Sequence, residues 1–212
     1  MNKAKIAGIA YNVPDRVVTN HDLEDMMDTT DEWIQARSGI KERRWVEEGM
    51  PNSDMALPAC QKAIKNAGIA PDDLDAIIVG TVSSDYNFPG MAPIIQQKLG
   101  ITTNISAFDI SAACSAFVYL LEIGNQFIQT GKYKNILLVG SDVMSCLLDK
   151  TPAGRATGVL LVMVQVQLSY NQQMMKVVFY LHILMQMVKG QRCYMQRRQV
   201  LCFIQTVLMQ KS

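Results

Sequence analysis

Between Ile105 and Gly131 the chain passes from an apolar, strand-like stretch through a turn of small residues, Ser111-Ala112-Ala113, into a helical segment of unusual apolarity. The helix expected over residues 113–130, closed by Gly131, carries Phe117, Leu120, Leu121, Ile123, Phe127 and Ile128, which is more than one narrow stripe can hold. A helix apolar on most of its sides has to be covered by packed layers, so it belongs at the centre of a fold rather than on its surface.

The same rhythm holds for the first three quarters of the chain. Short β-branched runs at residues 6–10, 76–82, 105–110 and 135–141 read as strands, and segments of helical period lie between them. Two short helices are expected early, one after Asn20 and one after Thr30, because each polar residue leads into an acidic first turn. Gly39 ends the second, and a longer helix over 53–67 ends at Gly68. Strands alternating with helices predict an α/β protein.

With 49% hydrophobic and 18% charged residues, the composition is that of a folded globular chain and excludes a disordered one. The formal net charge is +1, and no run of Lys or Arg interleaved with aromatics offers a footprint for nucleic acid. Five widely spaced cysteines (Cys60, Cys114, Cys146, Cys193, Cys202) contain no C-x-x-C, which argues against a disulfide framework and a zinc site and fits a reducing cytoplasm. The apolar stretch at the start is too short for a signal peptide and is broken by Asn12, Pro14 and Asp15.

Past Gly158 the character changes. The last carboxylate of the chain is Asp149, and residues 159–212 contain no Asp, Glu or Pro, one glycine (Gly190), and many Gln and Met. A membrane span is not expected there, since Gln165, Gln167, Gln172 and Gln173 interrupt every apolar run short of the roughly 20 residues that crossing requires. The genetic code offers an explanation. The codons of the run Leu161-Val162-Met163-Val164-Gln165-Val166-Gln167-Leu168, regrouped one base earlier, are compatible with Gly-Asp-Gly-Ala-Gly-Ala-Val. The same regrouping of residues 182–188 permits a string ending Asn-Ala-Asp-Gly. Two units are therefore expected: a domain over residues 1–157, and an anomalous tail over 158–212 that is read out of frame.

The chemistry centres on Cys114. A strand, a turn of small residues and then a cysteine at a helix start place a thiol where unpaired N–H groups and the helix dipole favour the thiolate, the form that attacks. Small neighbours leave room for a thioester. Spacing alone leaves open the commoner fate of a free cysteine, a small buried hydrophobe.

Four stretches carry a resemblance: Val18-Thr19-Asn20 with Leu23-Glu24; Asp28 to Ile34; Arg37 to Arg43; and Phe108 to Phe117. Through them residues 1–157 resemble the β-ketoacyl-acyl-carrier-protein synthase III family. The resemblance implies a thiolase-like fold of which this chain supplies the amino-terminal half, a mixed sheet with a buried central helix. It also implies acyl transfer: Cys114 takes a short acyl group from acyl-coenzyme A, which is then condensed with malonyl-acyl-carrier protein. By the same resemblance Thr29, Trp33, Arg37 and Arg155 contact coenzyme A, and Phe88 lines the primer pocket across a homodimer interface. No metal or permanently bound cofactor is implied; the partners are acyl-carrier protein, acyl-coenzyme A and a second copy. Without the resemblance, Trp33 reads as a helix anchor, Arg37 as a solvated charge and Phe88 as loop packing. The chain departs from the family pattern at Ser115, usually Ala, and Ala116, usually Gly. Neither His21, expected in a solvated or capping role, nor His182 matches the family's catalytic histidine, and its downstream asparagine has no counterpart. Other thiolase-fold enzymes, of the polyketide or hydroxymethylglutaryl-coenzyme A type, share such a cysteine, and a catalytically inactive remnant of a disrupted gene is the remaining alternative.

Overall fold

The computed structural model describes residues 3–159, 164–171 and 176–177. His182, Cys193 and Cys202 lie outside the described residues.

A six-stranded mixed sheet forms the middle layer. Its strands are β1 (Ile6–Ala10), β4 (Ala76–Gly80), β5 (Ser106–Ile110), β6 (Asn135–Asp142), β7 (Val164–Asn171) and β8 (Lys176–Val177), in the order β5-β4-β6-β7-β1-β8. β4 runs parallel to β5 and β6, while β7 is antiparallel to both of its neighbours, β6 and β1. A second sheet pairs β2 (Val17–Thr19) with β3 (Glu42–Arg44). The helices are α1 (Asn20–Glu24), α2 (Asp31–Ser38), α3 (Asn52–Ala67), α4 (Met91–Lys98), α5 (Ala116–Gln129) and α6 (Arg155–Gly158).

Period-two side-chain direction makes the parallel strands a two-sided core. Ile77, Val79, Leu137 and Val139 face one layer, where α3 and α4 contribute Ala56, Ala59, Cys60, Ala63, Met91, Ala92 and Ile95. Ala76, Ile78, Ile136 and Leu138 face the other, against Leu120, Leu121 and Ile128 of α5. Where helix and sheet approach most closely, glycine is required: a Cβ on Gly8 would lie 2.2 Å from the Ala63 carbonyl oxygen of α3. A third cluster joins Val18, Leu23, Met27, Ile34, Ile40 and Trp45 to Val159, packing α1, α2 and the small sheet into one unit.

The expected strands are present to within two residues at either end. Three details differ. Thr19, not Asn20, caps α1: its hydroxyl accepts from the Asp22 backbone N–H while the Asp22 carboxylate accepts from the Thr19 backbone N–H at 2.7 Å. Asn20 is buried instead. The helix expected from residue 113 begins as a 3₁₀ turn, Ala113–Ser115, and becomes α-helical at Ala116. That helix is buried along one face (Ala116, Leu120, Leu121, Gly124, Ile128) rather than on most sides, and Tyr119 is 52% exposed, because the described residues cover α5 on the sheet side alone. No helix among the described residues is long and apolar enough to cross a membrane.

Candidate active site

Ligand crevices in parallel α/β sheets form outside the carboxyl ends of the strands, and here three loops meet at that edge. One leaves β4 and holds residues 81–90, a second leaves β5 and holds Cys114, and a third leaves β6. A buried polar network sets their spacing. Asn52, first residue of α3, donates from Nδ2 to the Ser141 carbonyl at 2.9 Å and to Thr81 Oγ1 at 3.2 Å, and its Oδ1 accepts from the Ser141 hydroxyl. Asp142 accepts from the Val82 backbone at 2.7 Å and from the hydroxyls of Ser83 and Thr81 at 2.9 and 3.0 Å.

At β5 the chain turns sharply. Ala113 has φ +46°, a left-handed conformation that costs a residue with a side chain roughly 1–3 kcal/mol. The turn ends the strand and presents the next residue, Cys114, to solvent ahead of α5. Exposure removes the alternative of a buried packing role. Cys60, by contrast, is fully buried in α3, and burial pushes its thiol far above the usual range. Cys146 is exposed, in the loop after β6. Asp109, on the strand leading to Cys114, accepts from the Met91 and Ala92 backbone N–H groups at 2.5 and 2.8 Å and so caps α4. Phe88 stands 90% exposed on the β4–α4 loop.

The other predicted residues form a second group. Trp33 and Arg37, four apart on α2, stack with the guanidinium carbon 4.1 Å from the ring centroid. Arg155, on α6, reaches the same ring at 4.8 Å and donates from Nη1 to the Asp28 carbonyl at 2.5 Å. Thr29 follows Asp28 in the chain, and its hydroxyl is buried without a hydrogen-bond partner among the described residues. An indole with two guanidiniums over its ring presents a π-face and two positive charges together. His21, on α1, is exposed and pairs with Glu24 at 3.2 Å, which raises its pKa. Among the described residues no three metal-ligating side chains cluster.

Sequence reasoning missed Arg43. It is 1% exposed, and its Nη2 donates to Asn20 Oδ1 at 2.7 Å. In a Lys-Glu-Arg-Arg stretch nothing marks one arginine as buried.

Comparison with known proteins bears on this geometry. A sequence profile described as 3-oxoacyl-[acyl-carrier-protein (ACP)] synthase III matches residues 108–162, the strand, turn and helix around Cys114. The β-ketoacyl-[acyl-carrier-protein] synthase III 1 of Bacillus anthracis is 50% identical over 144 residues, 68% of this chain and 46% of that protein. This amino-terminal part of the chain is similar to the synthase III family. The synthase III of Caldanaerobacter subterraneus subsp. tengcongensis is 47% identical over 146 residues, 69% of this chain and 44% of the relative. In structure, 3-oxoacyl-[acyl-carrier-protein] synthase III from Aquifex aeolicus VF5 superposes with a TM-score of 0.76 at 39% identity, over 80% of this chain and 54% of that one. The thiolase-like α/β fold expected from the resemblance is therefore the fold observed. The chain spans about half the length of the synthase III relatives it matches.

Proposed function

We propose that this chain is the amino-terminal half of a β-ketoacyl-acyl-carrier-protein synthase III, in which Cys114 is the acyl-accepting nucleophile. The observation that carries the reading is the exposed thiol at the left-handed kink between β5 and α5, inside the segment that matches the family profile. The Cys114 thiolate attacks the carbonyl of a short acyl-coenzyme A; the bond to the coenzyme sulfur breaks, coenzyme A leaves as its thiolate and takes up the proton that the cysteine gave to solvent, and the acyl group stays on Sγ as a thioester. Malonyl-acyl-carrier protein then loses carbon dioxide, and the resulting carbanion displaces Cys114 from the acyl carbonyl, forming the new carbon–carbon bond and starting a fatty acid chain. Trp33, Arg37, Arg155 and Thr29 hold coenzyme A. Phe88, 90% exposed, suits a residue that lines the primer pocket of a second copy in a homodimer. The reading needs no metal or resident cofactor and places the enzyme in the cytoplasm.

Condensation also needs groups that stabilise the carbanion formed on decarboxylation. His21 is an exposed partner of Glu24 and does not match the family's histidine. We therefore read residues 158–212 as out of frame and the 212-residue chain as inactive in condensation. The test is to express this chain beside a version whose frame is restored after residue 157, and to follow labelled carbon dioxide released from malonyl-acyl-carrier protein. Release by the restored protein alone is expected. Turnover by the 212-residue chain would overturn the frame reading, and a restored protein that neither acylates Cys114 nor releases carbon dioxide would overturn the assignment.

A further inference from the structure

We infer that Arg43 is a positioning residue for the coenzyme A site, its buried guanidinium tying the helix that carries Trp33 to the helix that carries Arg155. The inference rests on the proposed role of those two residues and asks what holds them together. Arg37 lies four residues from Trp33 on the same helix, so helix geometry alone stacks it on the ring. Arg155 arrives from α6, far along the chain, and its 4.8 Å approach has to be set by contacts between elements.

Arg43 supplies such contacts in both directions. Toward α2, Nη2 donates to Asn20 Oδ1 at 2.7 Å, and Asn20 Nδ2 donates to the carboxylate of Asp31, first residue of that helix, at 2.8 Å. Asn20 Nδ2 also donates to the Ile40 carbonyl at 2.7 Å, just past the end of α2. Toward α6, Nη2 donates to the Val159 carbonyl at 3.5 Å, and the Val159 backbone N–H donates to the Arg155 carbonyl at 3.4 Å. Nη1 donates to the Val18 carbonyl at 3.4 Å, which fixes the guanidinium against β2. Among the described residues Arg43 makes no salt bridge, and its Nε is buried without a partner.

A cation buried this way contributes little to stability compared with an apolar residue of the same volume. What it provides is direction, because planar donors aimed at separate elements fix their relative placement. A second tie, from Arg155 to the Asp28 carbonyl, lies at the surface, where water competes for it.

The 212-residue chain contains two tryptophans, so labelling with 5-fluorotryptophan gives two fluorine resonances, assigned with Trp33→Phe. Arg155→Ala supplies the reference shift for a ring that has lost its second cation. Arg43→Met, which keeps length and removes the donors, is expected to move the Trp33 resonance toward that reference and to weaken coenzyme A binding by calorimetry about tenfold, with circular dichroism unchanged. A merely structural arginine would lower the melting temperature and leave that resonance in place, and an unmoved Trp33 signal in folded Arg43→Met overturns the proposal. Should Arg43→Met fail to fold, Asn20→Ser decides: it removes both bonds from Asn20 to α2 and its end, and an unmoved resonance there overturns the proposal equally. A wild-type chain that binds no coenzyme A overturns the reading of the site itself, while the fluorine shift still decides the tie.

Discussion

A Cβ atom on Gly80, the last residue of β4, would lie 2.9 Å from the Cβ of Ala116, the first residue of α5. The helix behind Cys114 therefore rests directly on the backbone of β4, between β5 and β6. Gly80→Ala is expected to destabilise the chain by about 1–3 kcal/mol, the usual range for overpacking, in urea denaturation. Ala116→Gly in the same chain should recover most of the loss, since it removes the opposing methyl; no recovery would show that the clash is with Leu120, whose Cδ1 is the next atom in line at 3.1 Å.

Cysteine reactivity should follow exposure. Iodoacetamide added to the native chain and read by peptide mass spectrometry is expected to label Cys114 and Cys146, with Cys60 protected until the chain unfolds. Burial both shields the Cys60 sulfur and holds it as the unreactive thiol. Faster labelling of Cys60 than Cys114 in folded protein would remove the physical support for the nucleophile.

Trp33→Ala should weaken coenzyme A binding to the frame-restored protein by roughly the 1–3 kcal/mol that a lost base-stacking contact costs. The fold should survive, because Trp33 packs at the edge of its cluster while Ile34 and Leu23 are fully buried within it. Unchanged affinity, measured by calorimetry, would return Trp33 to the role of a helix anchor.

Acid should loosen α2 through Asp31. The hydrogen bond from Asn20, joined by one from Gln35, holds the Asp31 carboxyl below its ordinary value. A carboxylate depressed in the folded state contributes stability that is present above its unfolded pKa and is lost as pH falls through the folded value. Asp31→Asn, which resembles the protonated acid, is therefore expected to lower stability in the neutral region and to flatten the acid limb of a stability–pH curve, with the two curves converging at low pH. An acid limb identical to wild type would mean that the Asn20 contact does not persist in solution.

Much of this molecule follows from local chemistry. Thr30 with Asp31 and Glu32 announces α2, and Gly39, at φ +73°, closes it; Ile6–Ala10 and Asn135–Asp142 are apolar enough to be strands wherever they sit. The turn of small residues before Cys114 leaves both a reactive and a buried cysteine open, and the structure shows the residue exposed. Helix α4 had no such signal. Its cap residue, Gly90, offers no side chain, and the carboxylate that satisfies its first N–H groups is Asp109, on a different strand. The short strands β2 and β3 escaped for a related reason, since three residues, Val-Val-Thr or Glu-Arg-Arg, are too few to show a period. Composition and order determined the α/β class and the break in character after residue 158. Only tertiary structure decided that Arg43 is buried, that Arg155 meets Trp33 and that α5 is covered on one face, because each depends on which surfaces distant segments bring together, and no local pattern encodes that.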